Sequence, residues 1–139
     1  MSAARPFANA IDLLRAAKLR PTRQRLALAR LLFDKGDRHV TAEQLHDEAE
    51  SAAIRVSLAT IYNTLHQFVA AGLLREVVVN PGRSYFDTNT ADHHHFFFEE
   101  TGRLMDIPSD SIRVNNLPKP PQGEIKRVDV TIRVGKPES

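Results

Sequence analysis

Residues 57–87 read SLATIYNTLHQFVAAGLLREVVVNPGRSYFD, and this stretch decides the predicted fold class. Ser57 is a residue type that favours helix N-caps. A helix from there to Gly72 would have one apolar face, made by Leu58, Ile61, Leu65, Phe68 and Val69. After the glycine the chain becomes rich in β-branched residues, and Asn80-Pro81-Gly82 is turn chemistry between two short strands, 73–79 and 83–87. The stretch therefore predicts a helix followed by a two-stranded hairpin.

Three further helices are predicted before this stretch. Residues 7–18 have an apolar stripe at helical spacing, made by Phe7, Ala10, Ile11, Leu14 and Ala17. Thr22 then caps a helix that ends at Gly36, and Thr41-Ala42-Glu43-Gln44 has the spacing of a capping box that begins a third helix. A helix pair followed by a hairpin is typical of a winged helix-turn-helix, whose last helix enters the DNA major groove.

The rest of the chain is predicted to form strands. Strand-like segments cover 93–98, 103–107 and 125–134, with a short helix over 110–114 and a proline-rich loop over 117–121. Because so small a sheet is rarely stable alone, we expect it to pair with a second copy. The predicted fold class is α+β, with an N-terminal winged helix-turn-helix domain over 1–88, a hinge over 89–92, and a small C-terminal α/β dimerisation and ligand-sensing domain over 93–139.

Length and composition exclude several classes of protein. The 139 residues fit one domain or two small ones, and 42% hydrophobic with 26% charged residues is typical of a folded globular chain. No apolar run approaches the ~20 residues that span a bilayer, and the start lacks a signal-peptide pattern, so we expect a cytoplasmic protein with no membrane partner. Without cysteine, the chain has no disulfide, thiolate metal site or catalytic thiol.

Positive charge is concentrated in the first part of the chain. Residues 1–80 contain 11 Lys/Arg against 8 Asp/Glu, whereas residues 81–139 contain 8 against 9. A phosphate-facing surface would have this distribution, and a solvated helix face is the alternative explanation. The candidate DNA-binding residues are three arginines and the outward positions of the helix that begins after Ser57: Arg20, Arg23, Arg25, Ser57, Ala59, Thr60, Tyr62 and Asn63.

Three consecutive histidines, His93, His94 and His95, precede a run of three phenylalanines. Because alternate residues of a strand point the same way, His93 and His95 would face one ligand and His94 the opposite side. Imidazole suits iron, zinc, manganese or haem iron, and adjacent aromatic rings would shelter a porphyrin from water. The alternative is three unrelated polar residues at the start of a strand.

Four sequence blocks together resemble the ferric uptake regulator (Fur) superfamily, and are most similar to its Irr branch, the haem-responsive iron response regulators. The blocks are residues 19–25, 39–43 and 57–65 and the triple histidine, and the resemblance runs from about residue 13 to residue 134. It implies a homodimeric transcription regulator, not an enzyme, that binds A·T-rich palindromic operators in double-stranded DNA. Tyr62 and Asn63 would lie on the recognition helix and Arg20 near the minor groove. Asn63 and Ser57 replace the Arg and Gly of many relatives, so operator preference should differ.

The resemblance also implies positions for ligands. Those of the inter-domain metal site match His39, Asp87, His93, His95 and Asp106, with two aspartates where many relatives have glutamate. A second family site falls on Asp92, His94, Arg113 and Asp129, where the arginine would repel a cation. The family's cysteine-based zinc site is absent, because Phe98 and Thr101 occupy the place of its first cysteine pair.

In the Irr branch, the triple-histidine region is associated with haem, and haem binding lowers DNA affinity. The main hypothesis is therefore an iron- and haem-responsive regulator in which haem, bound at His93, His94 and His95, changes the angle between two winged helices. Manganese, iron or zinc would occupy the inter-domain site. The alternative is a divalent-metal- or peroxide-sensing regulator of the same superfamily. A metal-dependent hydrolase is a third hypothesis, which the absence of an obvious nucleophile disfavours.

Overall fold

The structure is a computed structural model and describes residues 9–137. The first elements in this range are four helices. They are α1 Ala10–Ala16, α2 Arg23–Phe33, α3 Ala42–Ser51 and α4 Leu58–Ala70. Phe7, the first apolar position of the predicted first helix, lies outside the described residues. Helix α1 begins where the Asn9 side chain accepts hydrogen bonds from the amides of the residues two and three positions later.

The N-caps predicted for α2, α3 and α4 are confirmed. Thr22 Oγ1 accepts a hydrogen bond from an amide in the first turn of α2 at 3.2 Å, and Ser57 Oγ accepts from the Thr60 amide at 3.1 Å. Thr41 and Gln44 form the complete capping box, in which each side chain accepts from the other residue's amide, at 3.1 and 2.9 Å. These bonds satisfy amides that a helix start leaves without a partner, so each helix begins at a defined residue.

A three-stranded antiparallel sheet completes this part of the chain. Strands β2 Arg75–Asn80 and β3 Arg83–Asp87 form the predicted hairpin. A third strand, β1 His39–Val40, pairs with the other edge of β3 and places His39 opposite Asp87. The sequence did not predict β1, because two residues are too few to show an alternating pattern.

The helices and this sheet enclose one apolar core. Its fully buried side chains include Leu14, Leu28, Leu32, Leu45, Ile61, Leu65, Phe68 and Phe86. Burying each of these contributes roughly 1.5–3 kcal/mol relative to leaving it exposed. Because α4 supplies three of them, Ile61, Leu65 and Phe68, its rotation is fixed and its opposite face is left to solvent.

The second sheet consists of β4 His93–Phe98, β5 Arg103–Pro108 and β6 Thr131–Val134, in the order β5-β4-β6. The prediction of a strand from residue 125 is wrong for residues 125–130. The parallel pairing with β4 begins with Thr131 opposite His95, and the preceding amide, that of Val130, donates to the His94 side chain at 3.0 Å. A backbone amide bonded to a side chain is not available to extend the ladder.

The predicted helix over 110–114 is also wrong. A single 3₁₀ turn, Ser109–Ser111, occupies its start, and Ile112 is already extended at φ −125° and ψ 130°. Five residues close too few hydrogen bonds to offset the cost of nucleating a helix, and both Ile112 and Val114 are β-branched.

The chain divides into two units between Thr90 and Ala91, a boundary that falls within the predicted hinge over 89–92. The first unit contains the four helices and the first sheet, and the second contains the other sheet. Within residues 9–137, the structure has no helix long and apolar enough to cross a membrane.

Candidate functional site

The exposed face of α4 carries the residues that the sequence assigned to DNA recognition. Ala59 and Asn63 are exposed, and Thr60 and Tyr62 are half-buried. The Tyr62 hydroxyl donates to Glu43 Oε2 on α3 at 2.9 Å, and this bond, with burial as a smaller cause, raises the pKa of Tyr62. This face therefore presents an amide, a methyl group and a phenol side by side, the functional groups that read base edges in the major groove.

Ser57 differs from the other predicted DNA contacts. Its Oγ accepts the Thr60 amide, and its hydroxyl donates to Thr60 Oγ1 at 2.9 Å. The Ser57 oxygen therefore caps the helix and its proton is donated to the Thr60 side chain, so Ser57 contributes to the start of α4 before any contact with a ligand.

The three predicted arginines fall into two groups. Arg20 and Arg23 are exposed, and their guanidinium groups make no hydrogen bond or ion pair with any residue from 9 to 137. Arg25 instead links α2 to α4 by hydrogen bonds. Its Nε and Nη2 donate to Gln67 Oε1 at 3.2 and 2.9 Å, and its Nη1 donates to the Arg20 carbonyl at 3.0 Å. Three of its five N–H donors are thus occupied within the protein.

In the second unit, two of the three histidines converge on one carboxylate. The Nε2 atoms of His93 and His95 lie 3.5 and 3.4 Å from Asp106 Oδ1, and the centres of the two imidazole rings are 4.5 Å apart. The strand register explains the arrangement, because His95 pairs with Asp106 across β4 and β5 while His93 lies two residues along the same strand. Both histidines are buried, whereas Asp106 is exposed.

The donor set of His93, His95 and Asp106 fits a divalent metal. All three ligand atoms lie within 4.8 Å of one another, and two imidazoles with one carboxylate suit zinc, iron or manganese. His93 Nδ1 lies 2.6 Å from the Ala91 carbonyl oxygen. In the neutral ring, Nδ1 then donates to this carbonyl, so the lone pair is on Nε2, the atom that faces Asp106.

His94 points to the other side of β4, as predicted, and has a different partner. Its Nδ1 accepts the Val130 amide at 3.0 Å, and the ring is buried. This nitrogen is therefore not available to a metal or a haem iron while the bond is present. Of the other residues at the second family site, Asp92 and Arg113 are exposed, and Asp129 Oδ2 accepts a hydrogen bond from Arg127 Nε at 2.7 Å.

The remaining two predicted ligands, His39 and Asp87, lie in the first unit. They are opposite each other on β1 and β3. Asp87 is 1% exposed, and its Oδ1 accepts the Asn89 amide at 2.9 Å. The His39 ring meets Tyr85 edge to face, with 6.1 Å between the ring centres.

Comparison with known proteins identifies the family. The model of the ferric uptake regulator family matches residues 16–134. The chain belongs to this family. It is 35% identical over 99 residues to the peroxide-responsive repressor PerR of Staphylococcus aureus strain Mu50, over 71% of this chain and 66% of the relative. The corresponding protein of Staphylococcus epidermidis strain ATCC 12228 is also 35% identical over 99 residues, and 65% of its length is matched. The chain thus spans just under two thirds of these relatives.

Solved structures of ferric uptake regulators have the same fold. The protein from Pseudomonas aeruginosa, solved with manganese, aligns with a TM-score of 0.70 and 25% identity over 93% of this chain and 98% of that chain. The Vibrio cholerae protein aligns with a TM-score of 0.71 and 21% identity over 91% and 98%. These likenesses confirm the predicted α+β fold class. The resemblance to the family is confirmed, whereas the two staphylococcal relatives carry the name of a peroxide-responsive repressor rather than of the Irr branch.

Proposed function

We propose that this family member is a divalent-metal-dependent transcription regulator that binds duplex DNA as a homodimer. The observation that carries the proposal is the convergence of His93, His95 and Asp106 on one point in the second unit. A buried imidazole pair facing a carboxylate is a metal donor set, and the family assignment links such a site to gene control.

His39 and Asp87 complete the proposed ligand set. Two observations support them: the strand register places them opposite each other, and Asp87 is a buried carboxylate. A bound metal would supply positive charge that offsets the carboxylates of Asp87 and Asp106. Ligands from both units would make the relation between the units depend on metal occupancy, which is how metal binding would alter DNA affinity.

DNA binding is proposed for the exposed face of α4 together with Arg20 and Arg23. Support comes from the exposed amide of Asn63, the half-buried Tyr62 ring and the two arginines, whose guanidinium groups have no partner within residues 9–137. A homodimer would bind a palindromic, A·T-rich operator, with half-sites about one helical turn apart. The exposed apolar side chains of the second unit, Val114, Leu117, Ile125 and Ile132, support pairing there. We propose that the protein acts as a transcription regulator and not as an enzyme.

Peroxide is the signal that the relatives support best, since both carry the name of a peroxide-responsive repressor. Zinc has no redox chemistry, whereas iron does. We therefore expect hydrogen peroxide to abolish operator binding by the iron-loaded protein and to leave the zinc-loaded protein bound. If peroxide lowered operator binding equally with iron and with zinc, the response to peroxide would not depend on iron at this site.

Haem is the second candidate ligand. The buried ring of Phe97 supports it, because strand alternation puts Phe97 on the same side of β4 as His93 and His95, where it would shelter a porphyrin from water. Because His94 Nδ1 already accepts the Val130 amide, the proposed haem ligands are His93 and His95. If haem weakens DNA binding, DNA must weaken haem binding by the same factor, so a haem titration with and without operator tests the coupling.

One experiment separates the metal and haem hypotheses. Metal affinity is measured by competition with a chromophoric chelator, for the wild type, for His93→Ala with His95→Ala, and for Asp110→Ala as a control, since Asp110 is an exposed acid of the second unit outside the groups of potential metal ligands. Gel shifts on an A·T-rich palindromic duplex are then run with manganese, with iron, with haem and with chelator. We expect the double variant alone to lose metal and metal-dependent binding. A Soret band that depends on His93 and His95, with no metal dependence, would favour haem.

A further inference from the structure

The hydrogen bond between Tyr62 and Glu43 joins the proposed recognition helix to the start of α3. The two residues are 19 positions apart, and the phenol oxygen lies 2.9 Å from Glu43 Oε2. Glu43 lies in the first turn of α3 and is exposed, so its carboxylate adds a negative charge beside the face that would meet DNA. A negative charge at that place weakens contact with phosphates, and its presence needs an explanation.

The chemistry of the pair fixes the direction of the bond. An ionised carboxylate only accepts hydrogen bonds, so the single phenol proton must point at Glu43. The two oxygen lone pairs of Tyr62 are then the only polar groups that its side chain offers to another molecule. The raised pKa of Tyr62 has the same cause, because the bond to Glu43 and its charge both favour the neutral phenol.

Neighbouring groups leave this arrangement undisturbed. The centre of the His66 ring lies 6.3 Å from that of Tyr62, and His66 Nε2 is 3.9 Å from Glu76 Oε2. The charged and titratable groups next to the phenol are therefore Glu43 from α3 and His66 from α4 itself, and Glu76 from β2 lies beyond His66. Of these three, Glu43 is the one that the structure bonds to the phenol.

We propose that Glu43 is a positioning residue that sets DNA specificity through Tyr62. By holding the phenol proton, it makes Tyr62 an acceptor and an aromatic surface, which suits the amino groups of adenine or cytosine and the thymine methyl group. It also removes the donor that Tyr62 would otherwise offer to any phosphate, and its own charge repels the backbone. This inference rests on the proposed function, because it requires that α4 reads duplex DNA.

The test begins with selection from a library of random 40-base-pair duplexes by the wild-type metal-loaded protein. The affinity for the selected duplex divided by that for a scrambled duplex defines the discrimination ratio. We expect Glu43→Gln to lower this ratio roughly fivefold, the effect of one hydrogen bond. Glutamine has nearly the same shape but its Nε2 can donate to the phenol oxygen, so the phenol proton no longer has to point at residue 43.

Glu50→Gln is the matched control. Glu50 is an exposed acid on the same helix, and its partner is His46, with Oε1 3.4 Å from Nδ1. Both substitutions remove one negative charge from α3. A charge effect alone acts on the phosphates of any duplex, so it would leave the discrimination ratio of either variant unchanged. We expect Glu50→Gln to leave the discrimination ratio unchanged. Glu43→Asp, which keeps the charge with a shorter side chain, should recover part of the ratio that Glu43→Gln loses.

A double-mutant cycle and a spectroscopic measurement separate positioning from general destabilisation. If Glu43 acts through the phenol, Glu43→Gln should have no effect on discrimination in a Tyr62→Phe background. Titration of phenol absorbance should show the pKa of Tyr62 falling towards its ordinary value in Glu43→Gln. Because the chain has two tyrosines, the Tyr62→Phe variant identifies which part of the absorbance change belongs to Tyr62.

The outcomes distinguish a failure of DNA binding from a failure of the role of Glu43. If the wild type enriches no duplex, the proposed function fails. If it enriches a duplex but Glu43→Gln and Glu50→Gln have equal discrimination ratios, the role of Glu43 is overturned while DNA binding remains. A full effect of Glu43→Gln in the Tyr62→Phe background would likewise overturn action through the phenol.

Discussion

At the scale of single residues, three helices end in the same way with different chemistry. In α1, α3 and α4, the residue after the C-cap is left-handed, with φ of 61° at Lys18, 59° at Ala53 and 81° at Gly72. Each end has the pair of backbone hydrogen bonds typical of a Schellman motif, such as those from Ala53 to Glu50 and from Ile54 to Ala49 at 3.0 and 2.8 Å. Glycine adopts this backbone without strain, whereas a Cβ atom makes it costly.

We predict that Ala53→Gly stabilises the protein by roughly 0.5–1 kcal/mol, because it removes the left-handed strain at the end of α3. The measurement is urea unfolding followed by circular dichroism. Ala52→Gly is the control, since Ala52 has a negative φ of −92° and glycine there adds only unfolded-state entropy. A loss of stability in Ala53→Gly as large as that in Ala52→Gly would contradict the strain argument.

These helix ends also show where local sequence reasoning fails. Gly72 ends α4 as predicted, because glycine is the residue type that most favours the left-handed position. The ends of α1 and α3 had no such signal, since Lys18 and Ala53 are ordinary helix residues. There the tertiary packing of the chain imposes the turn.

At the scale of elements, the three histidines of β4 make two different kinds of contact. The alternation of a strand predicted that His93 and His95 share one side and that His94 faces the other. The contacts agree, because the first two meet Asp106 and the third accepts the Val130 amide. The partner of His94 lies 36 residues away across a proline-rich loop, so no local pattern indicated it.

We predict that His94→Ala destabilises the second unit by about 1–2 kcal/mol, because it leaves the Val130 amide without its acceptor. His94→Asn should retain most of this stability, since its Oδ1 lies the same number of bonds from Cβ as the imidazole Nδ1. His94→Gln should not, because its oxygen lies one bond further out. Thermal unfolding and amide exchange at Val130 measure the effect, and equal behaviour of the Asn and Ala variants would refute it.

At the scale of the whole molecule, charge is distributed unevenly between the two parts of the chain. The excess of basic residues falls in residues 1–80, which contain the proposed DNA-reading helix, and residues 81–139 have a slight acidic excess. Arg20 and Arg23 are exposed there, and their guanidinium groups have no partner within residues 9–137. An electrostatic contribution to DNA binding should therefore come from the first unit and depend strongly on salt.

We predict that Arg23→Ala weakens binding to selected and scrambled duplexes by similar factors. It should also reduce the slope of log affinity against log salt by about 0.9, because one phosphate contact is lost. Arg113→Ala is the control, since Arg113 is an exposed arginine of the second unit. Fluorescence anisotropy between low and moderate salt measures both slopes. An unchanged slope in Arg23→Ala, or an equal change in Arg113→Ala, would exclude this role.

The sequence by itself determined the starts of α2, α3 and α4, the hairpin, the sides of β4 and the family, because caps, turns and alternation depend on residues a few positions apart. The tertiary structure decided which distant side chains meet: Asp106 beside His95, Asp87 opposite His39, and Glu43 on Tyr62. It also decided that the last strand begins at residue 131, six residues later than the sequence predicted. Such contacts depend on strand register and on how buried faces rotate each helix. Packing of the whole chain sets both, so no local pattern encodes them.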